Sequence, residues 1–247
     1  MNARDGNAYP EVAELAVRIG SIDWERVEGH LDTRGSASIA RLITPAQCHA
    51  LSRLYPIDNL FRSRVVMGRH GFGRGEYKYF TYPLPEMVGA LREAIYPRLV
   101  PIANRWNALM GIDAQFPHQH CEFIEQCNAG GQTRATPLLL RYGQDDYNCL
   151  HQDLYGEHVF PLQVTILLSE PGRDFTGGEF VITEQRPRVQ SRPEVVSLDQ
   201  GDAVVFAVHR RPMKGTRGSY RVNLRHGVSR MRSGNRHTLG IIFHDAT

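Results

Sequence analysis

Arg221-Val222-Asn223-Leu224-Arg225-His226-Gly227-Val228 alternates strictly: Val222, Leu224, His226 and Val228 fall on one face, Arg221, Asn223 and Arg225 on the other. A period of two marks a strand with one buried side. An imidazole on the apolar side of such a strand is most often a core histidine satisfied by a neighbour. What reverses that reading lies about seventy residues earlier, at Leu150-His151-Gln152-Asp153. Two imidazoles and one carboxylate can hold one face of an Fe(II) ion and leave the opposite positions open. His-x-Asp alone is weak in a chain with 11 histidines, so the assignment depends on its surroundings.

Those surroundings include Arg236, ten residues past His226 and across one turn, where it can open the neighbouring strand. Alternation then puts Arg236, Thr238, Gly240 and Ile242 on one face, with Thr238 and Gly240 small enough to leave room beside the guanidinium. A planar, permanently charged fork pairs bidentately with a carboxylate. It therefore suits the far end of a dicarboxylate whose other end chelates the metal. Taken together, His-x-Asp, a distal His-Gly-Val and an arginine ten residues on resemble the Fe(II)/2-oxoglutarate dioxygenases, over roughly residues 137–247. The resemblance implies Fe(II), 2-oxoglutarate as cosubstrate and O2. It makes His151, Asp153 and His226 the metal ligands and catalytic centre, and gives Arg236, with Thr238 beside it, the distal carboxylate of 2-oxoglutarate.

The stretch Leu140-Arg141-Tyr142, followed by Leu150-His151-Gln152-Asp153, is similar to its counterpart in the AlkB-type nucleic-acid dealkylases. In that family the tyrosine hydroxyl helps to bind the cosubstrate, a role the resemblance passes to Tyr142. Leu140 stands where that family has an asparagine, and the arginine spacing is closer to the prolyl-hydroxylase branch. From Tyr77 to the C-terminus the chain also resembles a bacterial group of 2-oxoglutarate oxygenases inferred to act on damaged or modified nucleic acid.

The expected fold is α+β, a double-stranded β-helix (jelly roll) core with an N-terminal helical region. Residues 1–115 read as mainly helical and residues 116–247 as the core, packed into one unit. Helical spacing runs from Pro10 to Ile19, and a second helix begins near Ser21. Gly35 to Ser38 reads as a loop. Thr44-Pro45-Ala46-Gln47 has the form of a capping box. Leu84–Met110 has helical spacing interrupted by Pro97 and Pro101, which predicts two or three pieces. Beyond Gly131 the texture changes to short alternating runs: 137–142, 148–151, 162–168, 179–183, 195–198, 203–208, 221–228 and 237–243 make eight strand candidates. Such a count fits two facing sheets. His118, His120 and Cys121 lack the spacing of a second metal site and read as structural.

Apolar residues at 41% and charged residues at 22% describe an ordinary globular protein. No run is long enough to span a membrane, so no membrane association is expected. The N-terminal residues have no apolar core, which makes the cytoplasm the expected compartment and reduced thiols the expected state of the four cysteines. The net charge is only +3, but from His209 to Arg236 there are nine basic residues and no Asp or Glu. The loop expected at 209–218 carries Arg210, Arg211, Lys214 and Arg217, candidate phosphate contacts for a single-stranded or damaged nucleic-acid substrate. Such a loop is equally read as solvated surface. The oligomeric state is not readable from the sequence.

Three functions fit these residues. One is a dioxygenase hydroxylating a C–H bond of damaged nucleic acid, which on an N-methyl group is oxidative demethylation. Another is the same chemistry on a protein side chain or small molecule. The third is a non-catalytic cupin-like binding protein, and the joint presence of His151, Asp153, His226 and Arg236 argues against it.

Overall fold

A computed structural model describes residues 10–216 and 218–247. The chain runs α1 (Pro10–Gly20), α2 (Trp24–Arg34), β1 (Ser36–Ile39), α3 (Pro45–Ser52), β2 (Phe61–Val66), β3 (Gly73–Arg74), β4 (Glu76–Phe80), α4 (Glu86–Leu109) and α5 (His120–Ala129). There follow β5 (Leu138–Tyr142), β6 (Tyr147–His151), β7 (Leu162–Leu167), β8 (Phe175–Gly177), β9 (Phe180–Gln185), β10 (Arg192–Val196) and β11 (Ala203–Ala207). The last four are β12 (Arg210–Gly215), β13 (Gly218–Val228), β14 (Met231–Gly234) and β15 (Arg236–Ile241). Each of the eight strand candidates has its strand, in β5, β6, β7, β9, β10, β11, β13 and β15. The run expected at 195–198 pairs slightly earlier, as β10.

Two antiparallel sheets dominate, with strand orders β1-β11-β7-β15-β5-β4-β2 and β10-β9-β13-β6-β3; β12 pairs with β13, and β8 with β14 forms a small ribbon. From β5 onward the chain winds between the two, β5, β7, β11 and β15 entering the first and β6, β9, β10 and β13 the second. One face of the first sheet packs under α4. Val164, Ile166, Leu239 and Ile241 share a core with Val88, Leu91, Ile95 and Leu99. The alternate residues of the same strands face the other sheet. Because both its faces are covered, β7 is buried at all six positions. A buried Arg92–Asp245 ion pair at 2.8 Å ties α4 to the end of the chain.

Three local expectations are corrected by tertiary context. Residues 36–39 are not loop but β1, paired with β11 from Ser36↔Phe206 to Ile39↔Ala203. So short a segment has no periodicity of its own, and the free edge of β11 decides it. The α4 helix runs unbroken through Pro97 and Pro101. One turn apart, both prolines lie off its buried face, where water can serve the carbonyls they leave unpaired, and burial of the other face outweighs the lost bonds. The segment expected as a basic loop is β12, in register with β13 from Arg210↔Asn223 to Gly215↔Gly218. The capping box on α3 forms as expected, with Thr44 accepting from the Gln47 backbone and Gln47 from the Thr44 backbone. Residues 36–80 also add four strands to the two sheets, so the N-terminal 115 residues are not only helical. No helix among the described residues is long and apolar enough to cross a membrane.

Candidate functional site

The strands β13 and β6 lie side by side with His226 directly opposite His151, and the register shifts just beyond, between His226 and Val228. Gly227 permits this approach. A Cβ there would stand 2.6 Å from the Asn148 carbonyl oxygen and 3.1 Å from that of Cys149, both backbone atoms with little freedom to yield. The two imidazole rings are therefore 4.2 Å apart, and His226 is further held by Phe206 at 4.5 Å and Phe180 at 5.9 Å.

Asp153 follows β6 by two residues and turns its carboxylate onto both rings. Oδ1 is 3.5 Å from His151 Nε2 and Oδ2 is 3.3 Å from His226 Nε2. One ligand atom from each of the three lies within 4.8 Å of the others. Metal–ligand bonds of about 2.1 Å put adjacent ligand atoms roughly 3 Å apart, so this set fits a single ion on one face. His151 Nδ1 donates its N–H to the Cys149 carbonyl at 2.8 Å, which turns the lone pair of the neutral ring's Nε2 toward the site. Burial would push the Asp153 carboxyl up, but the imidazoles against it hold it well below the usual carboxylate range. Burial pulls His226 down, assisted by the neighbouring His151. Burial works against a charge on His151 too, but Asp153 beside it raises its pKa, so a divalent metal binding here would displace the His151 proton.

The triad opens onto a cavity lined from the first sheet by Leu138, Leu140, Tyr142, Gln163, Thr165, Arg236, Thr238 and Gly240. The β15–β5 register sets Arg236 opposite Tyr142. The intervening His237 and Leu239 point away, as alternation requires. Arg236 is almost wholly buried, and its Nε and Nη1 have no hydrogen-bond partner among the described residues; nor does the Tyr142 hydroxyl. The guanidinium carbon lies 5.6 Å from the Tyr142 ring centre and 5.9 Å from that of Phe175. Burial lowers the Arg236 pKa to about 10, which still leaves it a cation at neutral pH. A buried cation and a buried hydroxyl with no acceptor between them are costly unless a ligand supplies one. A carboxylate at the inner end of this cavity fits both, and the small Thr238 and Gly240 beside them leave it room.

Other residues here carried no sequence signal. The Tyr155 hydroxyl donates to Asp153 Oδ1 at 2.7 Å, and Tyr79 donates to Tyr155 at 3.0 Å. Gln163 presents a buried Oε1 without a partner to the cavity, and the half-exposed Phe72 stands at its edge. A lone tyrosine, glutamine or phenylalanine matches no spacing rule, and only the fold brings these together.

The substrate candidates fare differently. Arg211 is fully buried, ion-paired with Glu184 and donating to the backbone carbonyls of Asp32 and Thr33. It cannot meet a phosphate, which corrects its assignment: pairing of β12 with β13 turns alternate residues inward. Arg210 and Lys214 are exposed, and Arg217 lies outside the described residues. None of Arg210, Arg211 and Lys214 lines the cavity. His120 Nε2 donates to the Phe243 carbonyl at 2.8 Å, in keeping with a structural role.

Comparison with known proteins adds the following. The model of the family Oxygenase-NA, described as an oxygenase catalysing oxidative methylation of damaged DNA, matches residues 75–246. An uncharacterized protein of Mycobacterium tuberculosis (strain H37Rv) is 48% identical over 182 residues, 72% of this chain and 78% of that protein. A Pseudomonas putida prolyl-4-hydroxylase superposes with a TM-score of 0.53 at 14% identity, covering 94% of this chain and 99% of the other. An oxidoreductase of the 2OG-Fe(II) oxygenase family from Burkholderia pseudomallei gives a TM-score of 0.51 at 17% identity, covering 92% and 94%. At these identities the two solved structures speak for the fold alone.

Proposed function

The chain belongs to the Oxygenase-NA family, and we propose that it is an Fe(II)- and 2-oxoglutarate-dependent dioxygenase that oxidises a methyl group on damaged nucleic acid. The observation that carries the cosubstrate is the buried, partnerless Arg236 guanidinium beside the partnerless Tyr142 hydroxyl, in the cavity onto which His151, Asp153 and His226 open. In this reading the two sheets are the halves of a jelly roll, since β5 to β15 wind between them in the order that fold requires.

His151, Asp153 and His226 would hold the iron, and Arg236, Tyr142 and Thr238 would bind the far carboxylate of 2-oxoglutarate. The bound iron and cosubstrate supply an oxidation in which O2 is consumed, 2-oxoglutarate becomes succinate and carbon dioxide, and a substrate C–H becomes C–OH. The protein's own part is placement and exclusion of water. Cys149 fixes the His151 tautomer, Phe180 and Phe206 pack the His226 ring, and the apolar walls of Leu138, Leu140 and Val228 keep the cavity dry. On an N-methyl carbon the hydroxylated product collapses to formaldehyde and the free base, so the net change is demethylation. A target inside a duplex would have to leave the stack, which favours single strands and damaged bases.

The test is succinate formation by purified protein with Fe(II), 2-oxoglutarate and O2, then formaldehyde release from single-stranded oligonucleotides bearing N-methylated bases. His151→Ala, Asp153→Ala and His226→Ala should each abolish both. Succinate without formaldehyde across the panel would remove the nucleic-acid substrate and leave a hydroxylase of protein or small molecules. No succinate under any condition would leave a cupin-like binding protein.

A further inference from the structure

We propose that Tyr155 is a positioning residue for the metal, its hydroxyl dictating which oxygen of Asp153 faces the ion. This rests on the metal-site reading of His151, Asp153 and His226. Tyr155 donates to Asp153 Oδ1 at 2.7 Å, while Oδ2 lies 3.3 Å from His226 Nε2. A carboxylate that binds a metal through one oxygen leaves the other to a hydrogen-bond donor, and that donor fixes its rotation. With Oδ1 engaged by Tyr155, Oδ2 is the oxygen presented to the ion. The Tyr155 side chain is uncharged, so what its hydroxyl gives Asp153 is a directed hydrogen bond.

The donor is itself built in. Tyr155 lies in the irregular segment between β6 and β7, where nothing in the sheet ladders holds it. Instead the wholly buried Gln132 carboxamide clamps the segment from both sides. Its Nε2 donates to the Tyr155 carbonyl at 3.0 Å and to the His158 carbonyl at 3.1 Å, and its Oε1 accepts from the His158 backbone at 2.7 Å. The next residue, Gly156, adopts φ +82, and a Cβ there would collide with the Gln132 side chain at 2.4 Å. From the far side Tyr79 on β4 donates to the Tyr155 oxygen at 3.0 Å, which turns the Tyr155 proton toward Asp153. The Tyr79 ring is capped by the Arg62 guanidinium at 4.6 Å. The strands contributed by residues 61–80 are thereby coupled to the metal ligand through two hydroxyls in series.

Removing one hydroxyl tests this. Metal-free wild type, Tyr155→Phe, Tyr79→Phe and Asp153→Ala are titrated anaerobically with Mn(II) for affinity and with Co(II) for its visible spectrum, and melted without metal. Partners of metal ligands typically contribute ten- to a hundredfold in metal affinity. Tyr155→Phe is expected to weaken Mn(II) by about that factor and to shift the Co(II) bands, with the metal-free melting temperature lowered by no more than the loss of one hydrogen bond brings. Tyr79→Phe should shift affinity less, in the same direction. Wild-type affinity and an unaltered Co(II) spectrum in Tyr155→Phe, with binding lost in Asp153→Ala, would overturn the inference while leaving the metal site standing. Failure of the wild type to bind either ion, or full binding by Asp153→Ala, would overturn both. A lower metal-free melting temperature with unchanged affinity would assign Tyr155 a structural role only.

Discussion

Replacing Arg236 separates what it costs the free protein from what it contributes to the cosubstrate. The guanidinium is almost completely buried, has two nitrogens without a partner, and has no ion pair among the described residues. In Arg236→Lys the charge remains but the second prong is lost. One charge-assisted hydrogen bond is worth about 1.5–3 kcal/mol, so 2-oxoglutarate should bind roughly 10- to 150-fold more weakly. Arg236→Met keeps the length, removes both bonds, and should weaken binding by roughly 150-fold or more. The ligand-free protein should respond the other way. Removing a buried cation that nothing pairs should leave Arg236→Met at least as stable as wild type. The assays are calorimetric titration of 2-oxoglutarate into Mn(II)-loaded, anaerobic protein, and urea unfolding of the ligand-free form. Since the pKa of Arg236 is lowered only to about 10, wild-type affinity should show no loss of this cation between pH 7 and 9. Unchanged 2-oxoglutarate affinity in both variants would refute the reasoning and move the carboxylate to another cation.

Gly227→Ala should disrupt the β13–β6 pairing, because its Cβ would meet the Asn148 carbonyl, and Mn(II) affinity measured by titration should fall at least tenfold. Thr238→Leu fills space beside Arg236 and should weaken 2-oxoglutarate with little change in metal binding, read by the same calorimetry. Arg211→Ala strips Glu184 of its buried partner and should destabilise the fold by about 2–4 kcal/mol in urea. Exposed Arg210→Ala should stay within about 0.5 kcal/mol of wild type. Burial drives the pKa of both His120 and His244 down to about 3, well below an unfolded histidine near 6.5. Between those values the unfolded chain binds more protons, so stability must fall as pH drops below about 6.5. Urea midpoints at pH 7, 6 and 5 should show it, and His244→Asn should flatten the slope.

Much of the site was legible in the residues because its geometry is local. His-x-Asp, the alternation of 221–228 and the ten-residue step to Arg236 are set by strand periodicity, and a period of two assigns faces without knowledge of the partner strand. The same rule marked the eight strands and, by its small side chains, the open space at Thr238 and Gly240. Periodicity has no bearing on which edges meet. Ser36–Ile39 becomes a strand only because β11 offers an edge, and α4 continues through Pro97 and Pro101 only because the opposite face is buried. Arg211 illustrates the limit most sharply. In sequence it is one more arginine in a basic run; pairing of β12 with β13 turns it inward onto Glu184 and takes it away from any phosphate. Tyr155, Tyr79 and Gln132 reach the site from three separate segments. Sequence singled out the candidate ligands, since His-x-Asp and the face of His226 follow from the period of each strand; tertiary structure decided their meeting and their supports, since His226 stands opposite His151, and Tyr155 reaches Asp153, only once the sheets are assembled.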